Sequence, residues 1–323
     1  MNGGAKNTPN EVEVLKPGVL TMVQDLGRTG FLCAGVPGGG AMDRQAARVA
    51  NLLVGNPEGA ALLETTMAGP DLCFPTQTLI AVCGARFVGV PSWQPFVVEA
   101  GQIVSLTELV SGCRGYVAVA GGFVVAPVMG SASTYLRAGL GGFEGRTLRK
   151  GDRLKLGEVA KPIPAHVERW HISTSILPAY STQPVVRVTR GAQWDWFSEE
   201  AQYRLCEARY GVLSKSDRMG LRLEGAPLFL RAPREMHSEA VAFGSVQVPP
   251  DGQPIVLMAD RQTIGGYPKI AEVISVDLPL LAQLRPGERV LFTHVSLEEA
   301  QALFLAEEYA LSCLHEGLTE KFS

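Results

Sequence analysis

The sequence predicts a mainly β protein with a few helices, divided into two domains. Its 36 glycines and 21 prolines punctuate the chain more densely than long helices tolerate. Between them stand short runs rich in Val, Ile, Leu and Phe, of strand length. A length of 323 residues exceeds what one small core organises, so two domains are expected.

In chain order, residues 11–31 predict a strand, a turn at Pro17-Gly18 and a second strand through Leu20 and Val23, broken by Asp25-Leu-Gly-Arg28. A glycine loop, 35–40, leads into the best-marked helix. Asp43 suits its N-cap, Ala46, Ala47, Val49, Ala50, Leu52 and Leu53 form its apolar face, and Gly55 with Pro57 stops it. Short strands follow, clearest at 78–83, 96–99, 103–106, 116–119 and 154–156. Gly121-Gly122 and Gly141-Gly142 bracket a polar loop.

Prolines at 162, 164, 178 and 184 mark a linker, placed at 161–183 between domains at 11–160 and 184–323. The second domain is expected to have strands at 185–189, 220–223, 245–248, 255–258, 273–276 and 289–294, and a helix over 197–209. Ser296 and Glu299 form a capping box opening a C-terminal helix that should run to about residue 314 and pack on the second domain.

Several function classes are disfavoured. A net charge of −3 leaves no basic excess for nucleic acid. Nothing approaches the ~20 apolar residues of a membrane span. Residues 1–10 form a polar tail without a signal-peptide core. Six cysteines and five histidines are scattered without ligand spacing, so a cytoplasmic protein with free thiols and no protein-ligated metal is expected. The GxSxG elbow, HExxH and Walker A motifs are absent.

Four polar, glycine-bearing clusters are candidates for chemistry. The densest is Gln247–Lys269, where Gln253, Asp260, Gln262, Thr263 and Lys269 flank one apolar run. There Gly265-Gly266, before Tyr267, could adopt positive φ beside a ligand. Asp260 is a candidate general base and Lys269 a candidate stabiliser of negative charge. Alternatively, Gln253 and Gln262 satisfy backbone groups inside a wide loop. The second cluster, 130–146, offers Arg137 and Arg146 as carboxylate clamps, or as solvated surface arginines. The third carries Arg218, which is either catalytic or paired with Asp217 or Glu224 at the surface. The fourth, including Gly39, Gly40 and Asp43, could hold an anion at a helix start, although Asp43 already occupies that end.

Together these segments resemble the biotin-dependent carboxyltransferase/allophanate hydrolase subunit 2 family, closest to its 5-oxoprolinase C-component branch. The resemblance rests on 17–28, Gly40-Ala-Met-Asp43, 51–56, 119–122, Gly130-Ser-Ala-Ser-Thr134, 139–146, Asp217-Arg-Met-Gly220 and 247–269. It implies two tandem cyclophilin-like β-barrel domains and partner subunits A and B. It further implies ATP-driven hydrolysis of 5-oxoproline, or carboxyl transfer from carboxybiotin to urea or a similar amide. A purely regulatory member, binding a kinase-inhibitor subunit, is a third possibility. In the lactamase reading, Asp260, Lys269 and Arg218 are the catalytic candidates. Gln253, Gln262, Thr263, Gly265, Gly266, Tyr267, Arg137, Arg146, Gly39, Gly40 and Asp43 are the substrate-binding candidates. Met258 is followed by Ala rather than Lys, so covalently attached biotin is not expected, and ATP would bind on partners or at a shared interface. Ala132, Asp217 and Ala240 depart from the family's usual residues.

Overall fold

A computed structural model describes residues 10–159 and 162–323. The polar tail expected at the N-terminus lies almost wholly outside the described residues, as does the start of the expected linker.

The first half contains β1 (Glu11–Lys16), β2 (Leu20–Gln24), α1 (Arg44–Leu53), β3 (Leu62–Thr66), β4 (Asp71–Cys73), β5 (Thr78–Phe87), β6 (Pro95–Val98), β7 (Ile103–Ser105), β8 (Leu109–Val119) and β9 (Arg153–Lys155). They form a five-stranded sheet, β2-β3-β8-β5-β6, and a four-stranded one, β7-β4-β1-β9. Inward residues of both, including Val12, Val14, Leu72, Ile80, Val82 and Val117, share one core. These strands therefore pair as two packed sheets, not as the single closed ring expected for a first barrel.

The second half contains β10 (Val185–Arg190), α2 (Glu199–Glu207), β11 (Arg209–Val212), β12 (Gly220–Glu224), β13 (Glu239–Ala240), β14 (Ser245–Gln247), β15 (Ile255–Leu257), β16 (Ile264–Gly265), β17 (Lys269–Val273), α3 (Leu278–Ala282), β18 (Arg289–His294) and α4 (Leu297–Lys321). Seven strands close a barrel, β10-β17-β14-β15-β12-β11-β18, sealed by the parallel pairing of Val185 with Leu291. Closure removes the sheet edges and encloses Val188, Tyr210, Val246, Val256 and Phe292.

The α1 helix forms as its cap and stop signals dictate. Asp43 Oδ1 accepts from Ala46 N at 2.9 Å, and Gly55 turns at φ +74°. Its apolar face lies on the outer side of the five-stranded sheet. The strand expected at 273–276 is instead β17. Its continuation turns at Ser275–Asp277, where Asp277 Oδ2 accepts from Arg187 N at 2.6 Å.

The C-terminal helix departs most from expectation. It runs 25 residues, to Lys321, and packs on both halves, against Ser275–Asp277 of the second as expected and also against α1 of the first. Leu311 and Leu318 are buried with Leu52, Leu53 and Tyr116, and Arg48 bonds Glu308 through both terminal nitrogens. Val167, Ile163 and Trp170 dock the intervening segment on the same core.

Candidate functional site

Where the halves meet, one buried guanidinium organises the chain. Arg218, just before β12, donates through Nε to Asp260 Oδ2 at 2.8 Å and through Nη2 to Asp260 Oδ1 at 3.0 Å. Nη2 also reaches Gly40 O at 2.6 Å, and Nη1 bonds Glu64 on β3. Glu64 Oε2 in turn accepts from Met42 N at 2.9 Å and the Tyr116 hydroxyl at 3.0 Å. Burial opposes the Arg218 charge, but Asp260 and Glu64 outweigh it and hold its pKa above the ordinary arginine value. The surface pairing with Asp217 or Glu224 is not formed. Asp217 instead caps Met219 N and Gly220 N at 2.8 and 3.1 Å.

Against this cluster lies a second one, made by loop 25–28, loop 38–41 and the serine loop. The first two run backbone to backbone, with Arg28 N to Gly38 O at 2.7 Å and Ala41 N to Asp25 O at 2.8 Å. This approach demands glycine: a Cβ on Gly40 would stand 2.7 Å from Gly27 N. Asp25 is fully engaged by Ser131, Ser133 and the backbone N–H groups of Gly27 and Ala132. Arg28 is not. Its Nη2 donates to Ser133 O at 2.6 Å, while its buried Nε and Nη1 have no protein partner. Arg28 forms no ion pair among the described residues.

A Cβ added at Gly39 (φ +64°) would stand 3.3 Å from Arg28 Nη1 and 3.6 Å from Asp260 Oδ1. A side chain at Gly39 would thus stand between the unpartnered Arg28 Nη1 and the Asp260 carboxylate, both of them buried. A planar amide needs that complement, since its C=O accepts and its N–H donates.

Next to Arg218, a cavity of about 550 Å³ opens on the barrel flank, lined by Arg137, Asp217, Gln247, Gln253, Gln262 and Tyr267 among others. Gln262 Nε2 donates to Gln247 Oε1 at 3.3 Å, and Gln247 Nε2 donates to Tyr267 O at 3.1 Å. Arg137 and Asp217 face each other at 3.6 Å, both exposed.

The sequence candidates therefore divide. Asp260, Arg218, Gly39 and Gly40 come together, and Arg137, Gln253, Gln262 and Tyr267 line the adjoining cavity. Within that cavity, Gln253 also bonds both backbone groups of Gly225. Lys269 is held elsewhere, its Nζ 3.1 Å from Glu239 Oε2 and 3.2 Å from Ala240 O. Arg146 is engaged by Glu144 and Asp152. Thr263 offers its carbonyl to Val241 N. Gly265 and Gly266 do not take the expected positive φ. Glycine at 265 serves close packing, because a Cβ there would lie 2.5 Å from Gln247 Nε2. Asp43 faces Tyr180 at 2.5 Å and Gln283 at 3.0 Å, and burial pushes its pKa up to about 6.

Arg28, Glu64, Asp25, Ser131 and Ser133 were not among the candidate site residues. For Arg28 and the serines the signal was present as polar loop motifs. For Glu64 it was a lone carboxylate inside the apolar run Leu62-Leu63-Glu64. Among the described residues, no three His, Cys, Asp or Glu side chains converge as metal ligands. No helix among them is long and apolar enough to cross a membrane.

Comparison with known proteins gives the family of the chain. The chain is 39% identical over 316 residues to the C component of 5-oxoprolinase from Haemophilus influenzae, covering 96% of this chain and 99% of that one. It is 30% identical to urea amidolyase of Saccharomyces cerevisiae over 95% of its own length, which is 18% of the yeast chain. The crystal structure of the Kluyveromyces lactis urea amidolyase superposes with a TM-score of 0.88 at 31% identity, over 96% of this chain and 20% of that one. The family model described as carboxyltransferase domain, subdomain A and B, matches residues 34–294. This chain belongs to that carboxyltransferase-domain family.

Proposed function

We propose that this chain is the C component of a cytoplasmic 5-oxoprolinase, acting with subunits A and B to hydrolyse 5-oxoproline to glutamate at the expense of ATP. The observation that carries this reading is its 39% identity to a 5-oxoprolinase C component along 99% of that protein. The site chemistry supports it. Overall, water adds to the lactam carbonyl carbon, the ring C–N bond breaks, and the nitrogen leaves as the amine of glutamate. The free Nη1–H of Arg28 suits the carbonyl oxygen, where negative charge develops, and Asp260 Oδ1 suits the ring N–H. Arg218 is a positioning residue. By gripping both oxygens of Asp260 it fixes the carboxylate in place. Lys269 and Arg146, engaged elsewhere, have no part in this scheme.

The start of α1 does not suit a triphosphate, because the buried Asp43 carboxylate already takes the Ala46 N–H and would repel phosphate. ATP is accordingly assigned to the partners or to an interface with them. Mixing the chain with its co-purifying partners, and then omitting it, tests the proposal. ATP-dependent glutamate release from 5-oxoproline should vanish on omission, and release that persists would end the reading.

The similarity to urea amidolyase favours a second reading, carboxyl transfer to a urea-like amide from a carboxybiotin carrier. Arg28 and Asp260 would hold that amide in the same way. Inhibition of the complex by avidin, with no glutamate release, would select it.

A further inference from the structure

A second cavity, of about 510 Å³, lies between the start of α1, α3, α4 and the loop bearing Phe243. It shares no lining residue with the barrel-flank cavity. Its walls are largely apolar, built from Leu26, Met42, Phe243, Leu278, Pro279 and Phe304. Its charges are unevenly matched. Arg48 is consumed, with Nε 2.6 Å from Glu58 and Nη1 2.5 Å from Glu308. Arg44 is exposed at the cavity's rim and its side chain has no hydrogen bond or ion pair among the described residues; its Cζ stands 5.8 Å from the centre of the Phe243 ring. Nearby Arg261 has only the Val241 carbonyl, at 3.3 Å. Crowding by protein, together with like charge, holds both arginines below their ordinary pKa. They remain cationic at neutral pH all the same. Burial, and then the charge of Glu308, push Glu307 up to about 7, so the cavity's one unpaired carboxylate is partly neutral there.

A guanidinium stacked on an aromatic face keeps its N–H edge free to grip a carboxylate in bidentate fashion. The volume falls within the range of small-ligand sites. Glu58, Glu307 and Glu308 would repel a polyphosphate but tolerate a single negative charge.

We propose that this cavity binds a small organic monoanion, a carboxylate on an apolar body. The carboxylate pairs with Arg44, and the body packs among Phe243, Leu278, Pro279 and Phe304. The site stands independently of the lactam reading.

Benzoate is the probe, titrated calorimetrically into the full chain, with benzyl alcohol as its uncharged counterpart. Benzoate should bind in the millimolar range, roughly 4 kcal/mol, and benzyl alcohol at least ten-fold more weakly. Arg44→Gln should weaken benzoate at least ten-fold and leave the alcohol unchanged, whereas Phe243→Ala should weaken both. In crystals soaked with 4-bromobenzoate, the bromine should lie between Phe243 and Phe304. Absence of benzoate binding would overturn the proposal, as would equal binding of the two probes, indifference to Arg44→Gln, or bromine located elsewhere.

Discussion

Arg218 and Asp260 form a buried bidentate pair, with Nε–Oδ2 at 2.8 Å and Nη2–Oδ1 at 3.0 Å. The same guanidinium bonds Glu64, so one cation from the barrel half balances a carboxylate from each half. Such a network is costly to break on one side only, because the remaining charges stay desolvated. Arg218→Met should lower unfolding free energy by about 3–5 kcal/mol in urea titration. Adding Glu64→Gln and Asp260→Asn should recover a large part of that loss. If the single variant were as stable as the parent, the network would not be structural.

Gly39 and Gly40 should respond differently to alanine. At Gly40 the new Cβ meets backbone at 2.7 Å, which cannot yield cheaply, so Gly40→Ala should fold poorly. At Gly39 its nearest neighbours are side-chain atoms, of Arg28, Asp260 and Ser133 at 3.3, 3.6 and 3.8 Å, and strain at φ +64° costs about 1–2 kcal/mol. Gly39→Ala should therefore fold yet lose most turnover of the reconstituted complex, which thermal melts and glutamate release together would show.

Asp43 should give stability a recognisable pH dependence. Its folded-state pKa, raised from 3.8 to about 6 chiefly by burial, means the folded protein binds more protons than the unfolded chain in that interval. Its contribution is fully favourable below the lower value and is lost as pH rises through about 6, by up to about 3 kcal/mol. Asp43→Asn cannot titrate. The difference in stability between parent and variant should fall between pH 4 and 6 and then level off.

On α4, burial rather than residue type should decide the cost of truncation. Leu311 is 0% exposed and Leu305 is 65% exposed. Leu311→Ala should cost about 2–4 kcal/mol in chemical denaturation. Leu305→Ala should change little.

How far the sequence reveals the fold depends on how local each signal is. The first helix was legible because cap, apolar face and stop all fall between Asp43 and Pro57. The capping box at Ser296 placed the start of α4 correctly, with Ser296 Oγ accepting from Glu299 N at 3.1 Å. Its end and its additional packing on the first half were not legible, because Leu311 and Leu318 are buried by residues far away in the chain.

The same distinction governs the site. The glycine and arginine motifs marked Arg218, Asp260, Gly39 and Gly40 through their local chemistry. Glu64 went unnoticed because its partner lies 154 residues away. Gly265-Gly266 looked like a flexible ligand loop, whereas the pressure for glycine at 265 comes from the Gln247 side chain. Lys269 pairs with Glu239 on the short ribbon, a partner that its own segment does not contain.

In the proposed reaction the unpartnered edge of Arg28 receives the scissile carbonyl. The direct test is kcat/KM for ATP-dependent glutamate release by the reconstituted complex carrying Arg28→Gln, with its melting temperature measured alongside. A loss of about 10²-fold or more, typical of removing a charge-stabilising donor, with a fold that still melts cooperatively, is the predicted result. Undiminished turnover in that complex would contradict the claim.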